Sequence, residues 1–118
     1  MELSKETQDK ISQLQLFEQK MQSFLSQKQQ FQSQLLEVEN ALKELEKSEG
    51  EAFKIVGNIM LKTEKNKLTE DLKEREEVLG LRLKNIVKQE DHLKEQAEKI
   101  QAEIMKEIEK NTEEKKEE

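Results

Sequence analysis

Apolar residues recur at alternating intervals of three and four through the first half of the chain. This spacing is typical of the buried seam of a coiled coil. With one polar position at Lys28, the seam residues are Leu14, Phe17, Met21, Phe24, Phe31, Leu35, Val38, Leu42 and Leu45. We therefore predict a first helix over about 4–48, with Ser4 as its N-cap and Gly50 as its stop.

A second apolar seam follows after a short break. Its apolar members are Leu72, Leu79, Leu83, Ile86, Leu93, Ala97, Ile100 and Ile104. This spacing predicts a helix over about 67–111, capped by Asn66 or Thr69, in which Gly80 costs about 1 kcal/mol relative to Ala. Residues 112–118 are almost all charged and are expected to form a solvated tail.

Polar residues within the seams indicate how the two helices pair. If the chain reverses near residues 57 and 58, Lys28 comes close to Glu90 and Lys10 comes close to Glu107. Polar seam residues cost stability but define register and orientation. We therefore expect antiparallel pairing, with the alternative that seams near the helix ends simply tolerate charge.

The break between the seams has the pattern of a β-hairpin at about 51–63. Two strand-like runs flank Gly57-Asn58, which suits a two-residue turn and pairs Val56 with Ile59 and Ile55 with Met60. Both faces of this hairpin would be mostly apolar, and a lone two-stranded hairpin is marginal in water. We therefore expect it to join hairpins of other chains, the alternative being that it packs on the root of its own coiled coil.

The composition of the chain excludes several classes of function. The chain is 41% charged and 32% hydrophobic, it contains no Pro, and its net charge of −6 argues against nucleic acid as a main partner. The absence of Cys suits a reducing interior. No signal-peptide pattern and no apolar run long enough to span a bilayer are present, so we expect a cytoplasmic protein with no membrane partner.

The residues needed for catalysis are missing from the sequence. His92 is the single histidine, and neither a cysteine nor a Gly-rich phosphate loop is present. The sequence therefore lacks the residues needed for metal-dependent hydrolysis, for a nucleophilic triad and for nucleotide binding. We expect no enzymatic activity, no catalytic residues, no metal and no cofactor.

The helix ends far from the hairpin carry apolar residues outside the strict seam. These are Ile11, Leu16 and Leu25 in the first helix and Met105 and Ile108 in the second. Such a widened stripe is able to hold apolar segments of another protein. The equal alternative is that these residues thicken the seam or pack against a neighbouring subunit.

The hairpin and the segment after it resemble a known family. The order helix, single hairpin, helix, with Phe53-Lys54-Ile55-Val56-Gly57-Asn58-Ile59-Met60-Leu61-Lys62 at its centre, is similar to the β-type subunit of prefoldin, above all to archaeal members. The stretches at 79–84 and 88–93 agree with the segment that follows the hairpin in that family. Gly80 departs from the charged residue expected there.

The resemblance implies a mainly α fold: a long antiparallel two-helix coiled coil as a single domain, 1–118, whose central hairpin joins an oligomeric β-barrel. It also implies an ATP-independent chaperone of two α-type and four β-type subunits that passes non-native polypeptides to a group II chaperonin. The residues that would assemble the β-barrel are Phe53, Ile55, Val56, Ile59, Met60 and Leu61. Client capture at the distal tips would use Leu3, Ile11, Leu14, Leu16, Phe17, Met21, Ile100, Ile104, Met105 and Ile108. The alternative function is a structural coiled-coil adaptor or spacer.

Overall fold

The chain folds into two long helices and one β-hairpin, and the hairpin lies between the helices in the sequence. The computed structural model describes the backbone of residues 3–117 and the side chains of residues 3–113. The elements are α1 (Lys5–Lys47), β1 (Ala52–Val56), β2 (Ile59–Thr63) and α2 (Lys65–Glu117). The prediction of a mainly helical chain with a central antiparallel hairpin is confirmed.

Helix α1 begins at the predicted cap. The Thr7 N–H donates to Ser4 Oγ at 3.1 Å, and the Gln8 N–H donates to the Ser4 carbonyl at 3.0 Å. These bonds satisfy amide groups that the first turn of a helix leaves without partners. At the other end, the helix stops at Lys47, and Gly50 follows without the positive φ of a left-handed glycine cap.

Helix α2 begins earlier than the sequence suggests. Its first residue is Lys65, and the Leu68 N–H already donates to the Glu64 carbonyl at 3.0 Å. The prediction that Asn66 or Thr69 caps the helix is therefore wrong. The Thr69 hydroxyl instead donates to the Lys65 carbonyl at 2.8 Å, one turn back within the helix.

Helix α2 also ends later than predicted. It continues through Glu117, so residues 112–117 of the predicted tail are helical, while Glu118 lies outside the described residues. No Pro or Gly follows Gly80, and Glu and Lys are good helix formers. The Thr112 hydroxyl donates to the Ile108 carbonyl at 2.9 Å and so fits within the helix.

The hairpin has the predicted register. Val56 pairs with Ile59 and Ile55 with Met60 in an antiparallel ladder that ends at Ala52 and Thr63. Gly57 has φ +61°, whereas Asn58 does not adopt a positive φ. This combination matches a type II′ turn, which places glycine at its first central position.

The chain divides into two compact units. The hairpin unit is Gln27–Asn85, and the terminal unit is the described part of Met1–Ser26 and Ile86–Glu118. Val38, Leu45, Ala52 and Leu79 are buried in the hairpin unit, and the terminal unit buries Thr7, Ile86, Leu93 and Ile104. With the exception of Thr7 and Ala52, these residues are apolar members of the two predicted seams.

The helices run antiparallel within each unit. In the hairpin unit, the Lys65 ammonium donates to the Ser48 carbonyl at 2.7 Å. In the terminal unit, Lys10 Nζ lies 3.2 Å from Glu103 Oε2, and the Ser4 hydroxyl donates to the Glu107 carboxylate. The partner of Lys10 is thus one helical turn from the predicted Glu107. The pairing of Lys28 with Glu90 stays a prediction.

Candidate interaction surfaces

The hairpin exposes all six of its predicted assembly residues. Their exposed fractions are Phe53 50%, Ile55 69%, Val56 51%, Ile59 62%, Met60 64% and Leu61 51%. At the base of the ladder Ala52 is buried and Thr63 is half-buried. These exposures contradict the alternative in which the hairpin is covered by its own coiled coil.

The two faces of the hairpin are both apolar. The ladder register places Lys54, Val56, Ile59 and Leu61 on one face and Phe53, Ile55 and Met60 on the opposite face. Lys62 belongs to the opposite face and forms an exposed ion pair with Glu51 at 2.8 Å. An isolated chain therefore leaves two small apolar faces in water, which is unfavourable.

The terminal unit contains all ten residues predicted for client capture, but it exposes them unequally. Leu16 and Met105 are 64% and 54% exposed, whereas Ile104 is only 7% exposed. The half-buried remainder is Leu3, Ile11, Leu14, Phe17, Met21, Ile100 and Ile108. The structure thus gathers these positions in one unit, where most of them contribute to its interior.

A polar cluster joins the first turn of α1 to α2 in the terminal unit. Thr7 is fully buried, and its hydroxyl lies 3.0 Å from the Ser4 hydroxyl that donates to Glu107. A hydrogen bond to Glu103 raises the pKa of Lys10, partial burial opposes this rise, and the charges of Glu103, Glu6 and Glu107 add to it. Lys10 therefore stays charged within a group of carboxylates.

Four further apolar side chains are exposed that the sequence reasoning did not single out. Leu36 and Leu81 are each 58% exposed, and Val78 and Val87 are 41% and 38% exposed. Each lies outside the seam positions of its helix. The departure from the seam pattern is therefore the signal that would have identified them.

A groove lies between the hairpin and the helices within the hairpin unit. Its volume is about 1000 Å³, and its apolar lining is Val38, Ile55, Leu68, Leu72, Val78 and Leu79. Its charged lining is Glu37, Lys54, Asp71, Glu74, Arg75 and Arg82. A second groove of about 540 Å³ in the same unit is lined mostly by Lys and Glu side chains.

The described residues provide surfaces and no metal site. No three His, Cys, Asp or Glu side chains among them are grouped as a metal ion requires. Within the same residues, neither helix is long and apolar enough to cross a membrane. His92 is exposed on α2.

A family comparison accounts for this arrangement of helices and hairpin. The profile described as "Prefoldin subunit" matches residues 8–111, which include both seams and the hairpin. The chain belongs to the prefoldin subunit family. The matched range includes the six exposed hairpin side chains.

Solved and curated relatives point to the β-type subunit of prefoldin. The crystal structure of the prefoldin beta subunit from Thermococcus strain KS-1 superposes with a TM-score of 0.83 at 33% identity, covering 89% of this chain and 94% of that one. The prefoldin beta subunit of Pyrobaculum calidifontis is 38% identical over 60 residues, 51% of this chain and 48% of the relative. That of Saccharolobus islandicus is 39% identical over 57 residues, 48% of this chain and 45% of the relative. The chain thus aligns with about half the length of these curated archaeal relatives.

Proposed function

We propose that this chain is the β-type subunit of an ATP-independent holding chaperone of the cytoplasm. Two α-type and four β-type subunits form the complex, and their hairpins join into a β-barrel platform. The terminal units capture non-native polypeptides and deliver them to a group II chaperonin. The subunit has no catalytic role in this process.

Exposure of the six apolar hairpin side chains is the observation that carries this proposal. A two-stranded hairpin with two apolar faces and two unpaired edges is marginal alone and prone to further pairing. When hairpins of several subunits close into a barrel, both edges of each hairpin are paired and the side chains of one face fill the interior. Assembly is therefore built into the only β-structure of the described chain.

Capture at the terminal unit rests on its exposed apolar residues. Leu16 and Met105 provide contact surface without further rearrangement, and Met adapts to varied partners because it is flexible and polarisable. An apolar patch of about 400 Å² offers roughly 10 kcal/mol at 25 cal/mol/Å², and association costs remove most of this. A single unit therefore binds a non-native chain weakly.

Assembly of several subunits allows the complex to hold a client that one terminal unit binds only weakly. When several terminal units belong to one complex, binding by the first raises the effective concentration of the others at the same client. Release needs no nucleotide, because each contact is weak and dissociates on its own. A chaperonin that offers a larger apolar surface then accepts the client by competition.

Exchange of the exposed apolar residues tests capture separately from assembly. The double variant Leu16→Ser with Met105→Ser removes the two most exposed side chains of the predicted capture set. Leu36→Ser with Leu81→Ser is a matched control, because both of these leucines are 58% exposed but lie in the hairpin unit. Each complex is compared for its mass and for its suppression of light scattering by an aggregating, chemically unfolded protein.

The capture hypothesis predicts different outcomes for the two variants. We expect the Leu16 and Met105 double variant to assemble normally but to require several-fold more complex for equal protection. The control is expected to protect like the wild type. Equal protection by both variants contradicts capture by these residues, and assembly without any protection by the wild type favours an adaptor or spacer function.

A further inference from the structure

The two faces of the hairpin differ in where their lysine lies. One face, which we call the Lys54 face, consists of Lys54, Val56, Ile59 and Leu61, with Ala52 and Thr63 at its base. The other, which we call the Phe53 face, consists of Phe53, Ile55, Met60 and Lys62. Side chains along the strands of a closed barrel alternate between interior and exterior, so only one of these faces fills the interior.

Lys54 is central on its face, whereas Lys62 is at the end of its own. Lys54 lies on the middle rung of the ladder opposite Leu61, and further rungs of the same face lie on both sides of it. Lys62 lies on the rung of the Phe53 face nearest the base of the hairpin, and its ammonium is paired with Glu51 at 2.8 Å. A barrel with the Phe53 face inside therefore keeps Lys62 at its margin, whereas the opposite arrangement places Lys54 at its centre.

A lysine at the centre of the barrel is unfavourable. Within the part of the chain that the structure describes, Lys54 forms no ion pair. Lysine is almost never fully buried without a partner, because its ammonium loses its hydration. Each further copy of this chain would also add an ammonium to the same interior, where like charges repel more strongly than in water. The charge of Lys54 therefore favours an outward direction for its face.

The exposure of the two faces agrees with this direction. At the base of the Lys54 face Ala52 is 9% exposed and Thr63 is half-buried, so the hairpin unit itself already covers part of this face. On the Phe53 face, Phe53, Ile55 and Met60 are 50%, 69% and 64% exposed. Phe and Met are larger than the Val and Leu of the other face, so burial of the Phe53 face removes more apolar surface from water.

We propose that the Phe53 face is directed into the barrel and packs there against side chains of neighbouring prefoldin hairpins. This inference rests on the proposed assembly and specifies which side chains form its core. Phe53, Ile55 and Met60 are buried in the complex. The Lys54 face is directed outward, where its ammonium keeps its hydration and single apolar side chains are ordinary.

Two consecutive residues of β2 test the direction of the faces. Ile59 and Met60 lie on opposite faces and are 62% and 64% exposed in the single chain. Because the chain has no cysteine, Ile59→Cys and Met60→Cys each introduce a single thiol. Each full-length variant is assembled with an α-type prefoldin subunit and treated with a charged maleimide. Mass spectrometry follows the modification of this chain, and the same chain unfolded in urea gives the unprotected rate.

The proposal predicts protection of one thiol and not of the other. We expect Met60→Cys to react roughly tenfold or more slowly in the complex than in urea, because a close-packed barrel interior excludes the reagent. Ile59→Cys is expected to stay within about threefold of its rate in urea, since its face is in water. Protection of Ile59→Cys, or fast reaction of Met60→Cys, in the assembled complex overturns the assignment of the faces.

Lysine substitutions at the same positions give an independent test. Met60→Lys places an ammonium inside the proposed barrel, and Ile59→Lys is the matched control outside it. Analytical ultracentrifugation over a dilution series compares each variant with the wild type, again with the α-type subunit. We expect roughly tenfold or weaker association for Met60→Lys and less than about a twofold change for Ile59→Lys. Equal effects, or the reverse order, contradict the proposal.

The results also separate this inference from the proposed function. If the wild type assembles but the thiols or the lysine variants give a contradicting pattern, the direction of the faces is wrong while the assembly proposal stands. If the wild type forms no oligomer, alone or with an α-type subunit, the assembly proposal fails together with this inference.

Discussion

Lys10 of α1 and Glu103 of α2 form an ion pair in the terminal unit, with Nζ 3.2 Å from Oε2. Glu6 lies 3.7 Å from the same ammonium, one turn away on α1. The pair sets the register between the helices at the point where the predicted capture residues are gathered. It is half-exposed, so its contribution to stability is small and its main effect is on local opening.

Replacement of Lys10 by Met tests this role. The variant Lys10→Met keeps the apolar stem but removes the charge, which leaves Glu103, Glu6 and Glu107 to repel one another. We expect faster amide hydrogen exchange in the first turns of α1 and a small decrease in melting temperature. Lys20→Met, at an exposed position of the same helix, is the control and is expected to leave that exchange unchanged.

The pH dependence of the same pair follows from the raised pKa of Lys10. A lysine whose pKa is higher in the folded chain than its ordinary 10.5 stabilises the fold fully below that value. The stabilisation disappears as the pH rises through the folded pKa. Melting curves should therefore show a constant difference between wild type and Lys10→Met at neutral and mildly alkaline pH, and convergence above the folded pKa. A difference that grows with alkalinity would contradict the sign of this shift.

The cap of α1 gives a second prediction. Ser4→Ala removes the oxygen that accepts from the Thr7 N–H, and loss of an N-cap costs about 1 kcal/mol. We expect a lower free energy of unfolding in urea and fraying of the first turn in hydrogen exchange. Ser4→Asn keeps a capping oxygen without adding charge beside Glu107 and should restore most of the loss. If the Asn variant is as unstable as the Ala variant, capping is not the cause.

Two glycines are expected to respond oppositely to alanine. No atom lies within 4 Å of a Cβ added at Gly80, so Gly80→Ala should stabilise helix α2 by about 1 kcal/mol. Gly57→Ala should destabilise the hairpin by about 1–2 kcal/mol, because Gly57 has φ +61°. Urea unfolding measures both changes. A destabilising Gly80→Ala would show that this glycine has a packing role.

Much of the fold is predictable because repeated local signals agree with one another. The seam from Leu14 to Leu45 and the Gly57-Asn58 turn each specify their element, and the structure contains both. The ends of α2 were harder to predict because Lys65 and Thr112 belong to polar stretches in which helix and loop differ by little free energy. The sequence predicts Lys10 near Glu107, whose charge does act on Lys10, but the ion pair itself forms with Glu103 one turn away, since seam spacing alone does not define how far one helix slides along another.

The candidate site was predictable in its residue types but not in its exposures. The hairpin residues are apolar on both faces, which the alternation of the sequence reveals directly. The burial of Ile104 and the exposure of Leu16 depend on how α1 and α2 pack in the terminal unit. The hairpin groove depends on the placement of β1 beside residues 34–38 and 68–82, which no local pattern encodes.

The mass of the native protein tests the central claim most directly, since that claim is that hairpins of other subunits complete the hairpin of this chain. Native mass spectrometry is applied to the chain alone and after mixing with an α-type prefoldin subunit. The account predicts species well above the 14.0 kDa of one chain, with four copies of it in the mixed complex. A stable species of one chain in both samples would contradict it.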